Sequence, residues 1–118
     1  MTVKECYEAI NSNYDEVFER LFKEERIAKF SKMFFTTGDI DNLKAAVDKG
    51  DANLTFEISH TMKGNSLNIG FNILSKKISD LVEYVRGREI KDQAELVKLY
   101  DEVKAEFESN KKVFEQLS

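Results

Sequence analysis

The chain has 118 residues, 42% of them hydrophobic and 34% charged, with a formal net charge of −4; this is the size and composition of one helix-rich globular domain spanning 1–118. The acidic balance argues against nucleic acid as a partner, and the single Cys6 excludes an internal disulfide framework. No apolar run approaches the roughly 18 residues that span a membrane, and the amino terminus lacks the apolar core of a secretory signal, so a cytoplasmic protein that stays off the membrane is expected.

Apolar residues recur at helical spacing along nearly the whole chain. Val3, Tyr7, Ile10, Tyr14, Val17, Phe18 and Leu21 form a first stripe, and Asn11-Ser12-Asn13 is expected to divide it into two short helices. Ile27, Phe30, Met33 and Phe34 carry the next stripe, where the adjacent Phe34 and Phe35 predict one ring inside and one at the surface. At Thr37-Gly38-Asp39 the glycine predicts a left-handed stop and the aspartate a new cap. Leu43, Ala46 and Val47 predict a short helix closed by Gly50, and Asp51 caps a helix from Ala52 to the region of Asn65 and Asn68. Gly70 marks a turn or a close approach. Phe71, Leu74, Ile78, Leu81, Val82 and Val85 describe a further stripe, ended by Gly87. Asp92 with Glu95 reads as a capping-box start for the last helix, whose core face is Leu96, Leu99, Tyr100, Val103, Phe107, Phe114 and Leu117. No segment alternates like a strand. The expected fold is all-α: an antiparallel four-helix bundle with short additional helices at the amino end.

The one histidine, His60, lies in Phe56-Glu57-Ile58-Ser59-His60-Thr61-Met62-Lys63-Gly64-Asn65-Ser66. Lys63 and Gly64 stand three and four residues on, hence on the same helical face one turn away. A glycine inside a helix costs about 1 kcal/mol relative to alanine, and here it would clear the surface beside the imidazole for another protein's backbone. Met62 and Ile69 fit the buried side. Neutral imidazole is a nucleophile near neutral pH and can attack an acyl phosphate such as phosphoaspartate. The resulting phosphohistidine carries nearly two negative charges, which the Lys63 ammonium would offset. Such transfer needs positioning and charge stabilisation more than elaborate machinery.

The spacing His60-x-x-Lys63-Gly64-Asn65-Ser66-x-x-x-Gly70 resembles the signature of the histidine-containing phosphotransfer domain family. Gly50-Asp51 ahead of it and Phe71-Asn72-Ile73-Leu74 after it fit the same resemblance, which covers roughly residues 16–86. It implies a four-helix bundle with an exposed histidine phosphorylated at Nε2 and Lys63 near the phosphoryl group. Gly64 would admit the receiver domain, and Ser66 and Gly70 would occupy small-residue packing positions. Partners implied are response-regulator receiver domains and a hybrid histidine kinase, in two-component phosphorelay signalling, with magnesium on the receiver alone and no cofactor or metal on this chain. The default state is a monomer. The docking surface is expected around His60 and Gly64, with Phe56 or one of Phe34 and Phe35 at its apolar centre and Asn65 on its rim. Asn65 departs from the serine or alanine commoner in the family. Val82 stands where many members carry Glu or Gln bonded to the second ring nitrogen, with Glu83 displaced by one.

Other readings carry less weight. Glu57-x-x-His60 matches the spacing of di-iron bundles, which require the motif twice. The acidic stretch Asp39 to Asp51 lacks a calcium loop and its closing glutamate. Lys98, Asp101, Lys104 and Glu108 read as a solvated face. No nucleotide-binding loop is present, so an ATP-dependent kinase is not expected of this chain alone, and it reads as a phosphocarrier and not as an enzyme. A helical interaction module without phosphate chemistry, or the amino-terminal phosphotransfer domain of a chemotaxis-type kinase, are the alternatives to a free-standing carrier.

Overall fold

The computed structural model describes residues 1–117, whose regular secondary structure is all α-helix. The elements are α1 (Val3–Ala9), α2 (Tyr14–Leu21), α3 (Glu24–Thr36), α4 (Asp39–Lys49), α5 (Ala52–Asn68), α6 (Asn72–Val85) and α7 (Gln93–Phe114). The first stripe is divided as its polar break predicts: Asn13 accepts from the backbone N–H groups of Asp15 and Glu16 and starts α2. Thr2 and Glu5 form a reciprocal capping box on α1.

Helices α4, α5, α6 and α7 pack in a closed cycle, α5 on α6, α6 on α7, and α4 on both α5 and α7. α1 and α3 lie against α7, and α2 against α1 and α3. No described helix is long and apolar enough to cross a membrane. Buried apolar side chains from all seven helices join in one cluster. Its centre is aromatic: Tyr7, Phe34, Phe35, Phe71, Phe107 and Phe114 lie with ring centroids 5.2–5.8 Å apart, a spacing suited to edge and offset contacts.

That cluster corrects one expectation. Phe34 and Phe35 are both buried, because aromatic partners reach α3 from two sides: Phe71 and Phe107 contact both rings, and Phe114 contacts Phe35. Phe18 and Met33, placed on core stripes by their spacing, are instead 41% and 48% exposed. Short α2 buries only Val17 and Leu21, and α3 turns Ile27, Ser31, Phe34 and Phe35 inward.

Two helix starts also differ. Gly38 is left-handed as expected (φ 82), yet it is itself the N-cap of α4, and Asp39 is the first helical residue. Asp92 caps α7 through the Ala94 N–H, but its own N–H donates to the Tyr84 hydroxyl at 2.9 Å, the place a capping-box Glu95 would fill. Gly50 (φ 67) and Asp51 behave as predicted, Asp51 accepting from the Leu54 N–H at 3.0 Å.

α5 ends in the turn that sets its angle to α6. Phe71 N–H donates to the Ser66 carbonyl and Gly70 N–H to the Leu67 carbonyl, around Gly70 at φ 73. A Cβ there would collide with the Val17 side chain, so Gly70 serves both the turn and a close approach of α2.

Candidate functional site

α5 buries a seam of small and flexible residues, Thr55, Ser59, Met62 and Ser66. Their repeat of three to four positions lets α4 and α6 approach closely. Ser59 donates to the Thr55 carbonyl at 2.7 Å and Ser66 to the Lys63 carbonyl at 2.9 Å, which satisfies those two hydroxyls within the helix, whereas the buried Thr55 Oγ1 has no hydrogen-bond partner among the described residues. His60 falls one position off that seam and is exposed, with Gly64 and Leu67 exposed and Phe56 and Lys63 half-buried on the same side. The helical spacing thus brings Phe56, His60, Lys63 and Gly64 together on one accessible stripe. Ser66 and Gly70 lie apart from it, in the α5–α6 seam and turn.

A Cβ built on Gly64 meets nothing within 4 Å. The surface beside His60 is therefore open on that flank. Asn65 stands at the lip of a neighbouring groove of about 260 Å³, lined also by Phe30, Met33, Phe34, Asn68 and Ile69. Of the two adjacent phenylalanines, Phe34 thus lines the groove next to Asn65. Phe35 lines a different groove, between α3 and α7.

Neither ring nitrogen of His60 makes a hydrogen bond among the described residues. Val82 is fully buried and apolar and offers none. Glu83 is exposed and held by Arg86, whose guanidinium donates to both carboxylate oxygens at 2.9 and 2.7 Å. The Arg86 hydrogen bonds hold the Glu83 carboxyl below the usual carboxylate range, and the Lys63 charge adds to that in smaller measure. Lys63 is therefore close enough to α6 for its charge to be felt there.

His60 does have a partner of another kind. Its ring stacks on Phe56, one turn earlier, with centroids 5.5 Å apart and planes inclined by 27°. The guanidinium carbon of Arg88 lies 4.1 Å from the Phe56 ring centroid, and that of Arg86 5.8 Å. Arg88 also reaches Asn53 Oδ1 at 3.5 Å and Glu57 at 3.8 Å. Spacing alone could have found the Phe56–His60 stack, since the two are four residues apart on a helix. It could not have found Arg88, which returns to α5 from the α6–α7 connection through a left-handed residue (φ 60).

Among the described residues no group of three or more His, Cys, Asp or Glu side chains is placed to hold a metal ion. The last helix carries the charges expected of a solvated face, including the Lys104–Glu108 pair at 2.9 Å.

The chain matches no protein-family model, no curated protein and no solved structure.

Proposed function

We propose that this protein is a histidine phosphocarrier that relays a phosphoryl group between aspartates of receiver domains through His60. The observation that carries the reading is one stripe of α5, on which an exposed imidazole, free of hydrogen bonds among the described residues, stands beside the Lys63 cation and the open flank at Gly64. In this reading α4 to α7 are the antiparallel four-helix bundle, and α1 to α3 the additional amino-terminal helices.

The chemistry asks little of the carrier. The Nε2 lone pair attacks the phosphorus of an aspartyl phosphate. An N–P bond forms as the P–O bond to the aspartyl carboxyl breaks, and the aspartate leaves as a carboxylate. The Nδ1 proton exchanges with solvent at this exposed position. Lys63 offsets the charge of the transferred group, Gly64 lets the receiver backbone approach, and the groove beside Asn65 receives apolar side chains from the partner. The receiver supplies its own magnesium. Reversal of the step onto a second aspartate completes the relay, and a hybrid histidine kinase is the upstream donor class.

The test is a phosphotransfer profile. The purified chain and a His60→Gln variant are mixed with each phosphorylated receiver domain of the source cell. Fast acceptance by the wild type and none by the variant is expected. Acceptance by His60→Gln at the wild-type rate would refute the carrier. Receiver binding without any transfer would favour a helical interaction module instead.

A further inference from the structure

A phosphocarrier must hold its imidazole in a defined plane, because in-line attack requires the nitrogen lone pair to point at phosphorus. A second-nitrogen hydrogen bond is one way to do so, and buried, apolar Val82 offers none from the neighbouring helix. Stacking is the other restraint open to an exposed ring. An aromatic face against the imidazole leaves both nitrogens at the edge, accessible, while limiting rotation about the side-chain bonds.

We propose that Phe56, clamped by Arg88, is the positioning residue for the His60 imidazole. The three groups form a chain of contacts. His60 lies on Phe56 at 5.5 Å and 27°, and Arg88 covers the same phenyl ring at 4.1 Å. Phe56 is half-buried, so part of its ring is fixed by the core and part is offered to these neighbours. Arg88 is fixed in turn. Its N–H donates to the Val85 carbonyl at 2.8 Å, in a left-handed conformation that arginine seldom adopts. Its guanidinium reaches Asn53 and Glu57, which flank Phe56 on the same helical side. The α6–α7 connection is thereby tied to α5 at the residue that touches the imidazole.

The clamp also has a charge. Arg88 and Arg86 both lie over or beside Phe56, while Glu83 occupies Arg86 with a two-point pair. The two ring contacts together set Arg88 within about one Debye length of the imidazole at ordinary ionic strength, roughly 10 Å. For the phosphoryl step, this inference rests on the phosphocarrier reading; for the orientation of the ring, it does not.

The experiment separates the two. Phe56→Leu, Phe56→Tyr and Arg88→Ala are compared with the wild-type chain in two readouts. The first is the NMR shift of the His60 ring protons, which stacking on Phe56 moves upfield. The second is the rate of phosphorylation by phosphoramidate, a small donor that needs no protein docking and so removes any role of Phe56 in receiver contact. Phe56→Leu should lose the upfield shift and slow phosphorylation by roughly fivefold to tenfold. Phe56→Tyr should retain both, and Arg88→Ala should lose part of each while remaining folded at the assay temperature. Unchanged His60 shifts in Phe56→Leu would overturn the stack. A lost shift with a wild-type rate would overturn the positioning role. Failure of the wild type to take up phosphate would overturn the phosphocarrier reading, and the shifts would still decide whether Phe56 orients the ring.

Discussion

Ser75 on α6 lies 2.8 Å, oxygen to oxygen, from Ser66 on α5, with both side chains buried. Ser75 also stands 2.8 Å from the Phe71 carbonyl, and Ser66 donates to the Lys63 carbonyl. Two hydroxyl protons thus serve a closed set of acceptors where the helix bearing His60 meets its most extensively packed neighbour. Ser66→Ala leaves Ser75 its carbonyl acceptor and should cost only about 1 kcal/mol. Ser66→Leu must force the helices apart and should cost roughly 1–3 kcal/mol or more. Urea unfolding of the two variants checks the order, and equal stability for Ser66→Leu and wild type would contradict it.

Gly64 separates fold from function. Its helical position and empty surroundings mean that Gly64→Ala should raise stability by about 0.5–1 kcal/mol. Gly64→Gln should not lower stability, because glutamine too is a better helix former than glycine, and it should slow transfer from a phosphorylated receiver strongly if the receiver docks beside His60 as proposed. Thermal melts paired with transfer rates read both. Wild-type transfer by Gly64→Gln would place the docking surface elsewhere.

Tyr7 sets an alkaline limit on the fold. It is fully buried, donates to the Ile69 carbonyl at 2.6 Å and lies 3.2 Å from Ser31 Oγ. Burial pushes its phenol up to about 12 from an ordinary value of 10.0, against a smaller lowering by Ser31. The neutral phenol is thus favoured in the fold beyond the pH at which the unfolded chain ionises. That contribution is full below pH 10 and is lost as pH rises towards 12, on the order of 2 kcal/mol in all. Denaturant titrations across this window should show the decline. Tyr7→Phe should be less stable at neutral pH, for want of the hydrogen bonds, and should fall less steeply above pH 10.

Much of this architecture is legible in the sequence because helices announce themselves locally. The polar break at Asn11-Ser12-Asn13, the Gly50-Asp51 junction and the Gly70 turn are each decided within a few residues, and each falls where its local chemistry places it. Met62 and Ile69 are buried and His60 exposed for the same reason. Where reading failed, a distant element decided. Phe35 is buried because Phe71, Phe107 and Phe114 come to it from other helices, and Glu95 loses its capping role to Tyr84 from α6. Arg88 over Phe56 is of the same kind. Its backbone conformation depends on the path of a connection that no local spacing encodes.

Lys63 should matter to the phosphorylated state and little to the fold. It is half-buried on the His60 side of α5, and its charge is felt at Glu83. Lys63→Ala should melt like the wild type, still accept phosphate, and transfer several-fold to about tenfold more slowly, the effect of losing one partly solvated charge-assisted contact. Lys63→Arg should be milder, although its planar head differs in shape from an ammonium. Rapid-quench measurement of forward and reverse transfer checks both variants. Wild-type rates and equilibrium in Lys63→Ala would make this lysine a solvated charge and nothing more.

If His60 carries the phosphoryl group as proposed, phosphorus NMR of the intact chain, taken after exposure to a phosphorylated receiver and separation from it, finds the phosphorus on that ring. One phosphorus resonance is expected, coupled to the His60 ring protons in the pattern of Nε2 substitution, stable in base and lost in acid. A phosphorus resonance that persists in His60→Gln, or phosphate found on any other side chain, would contradict it.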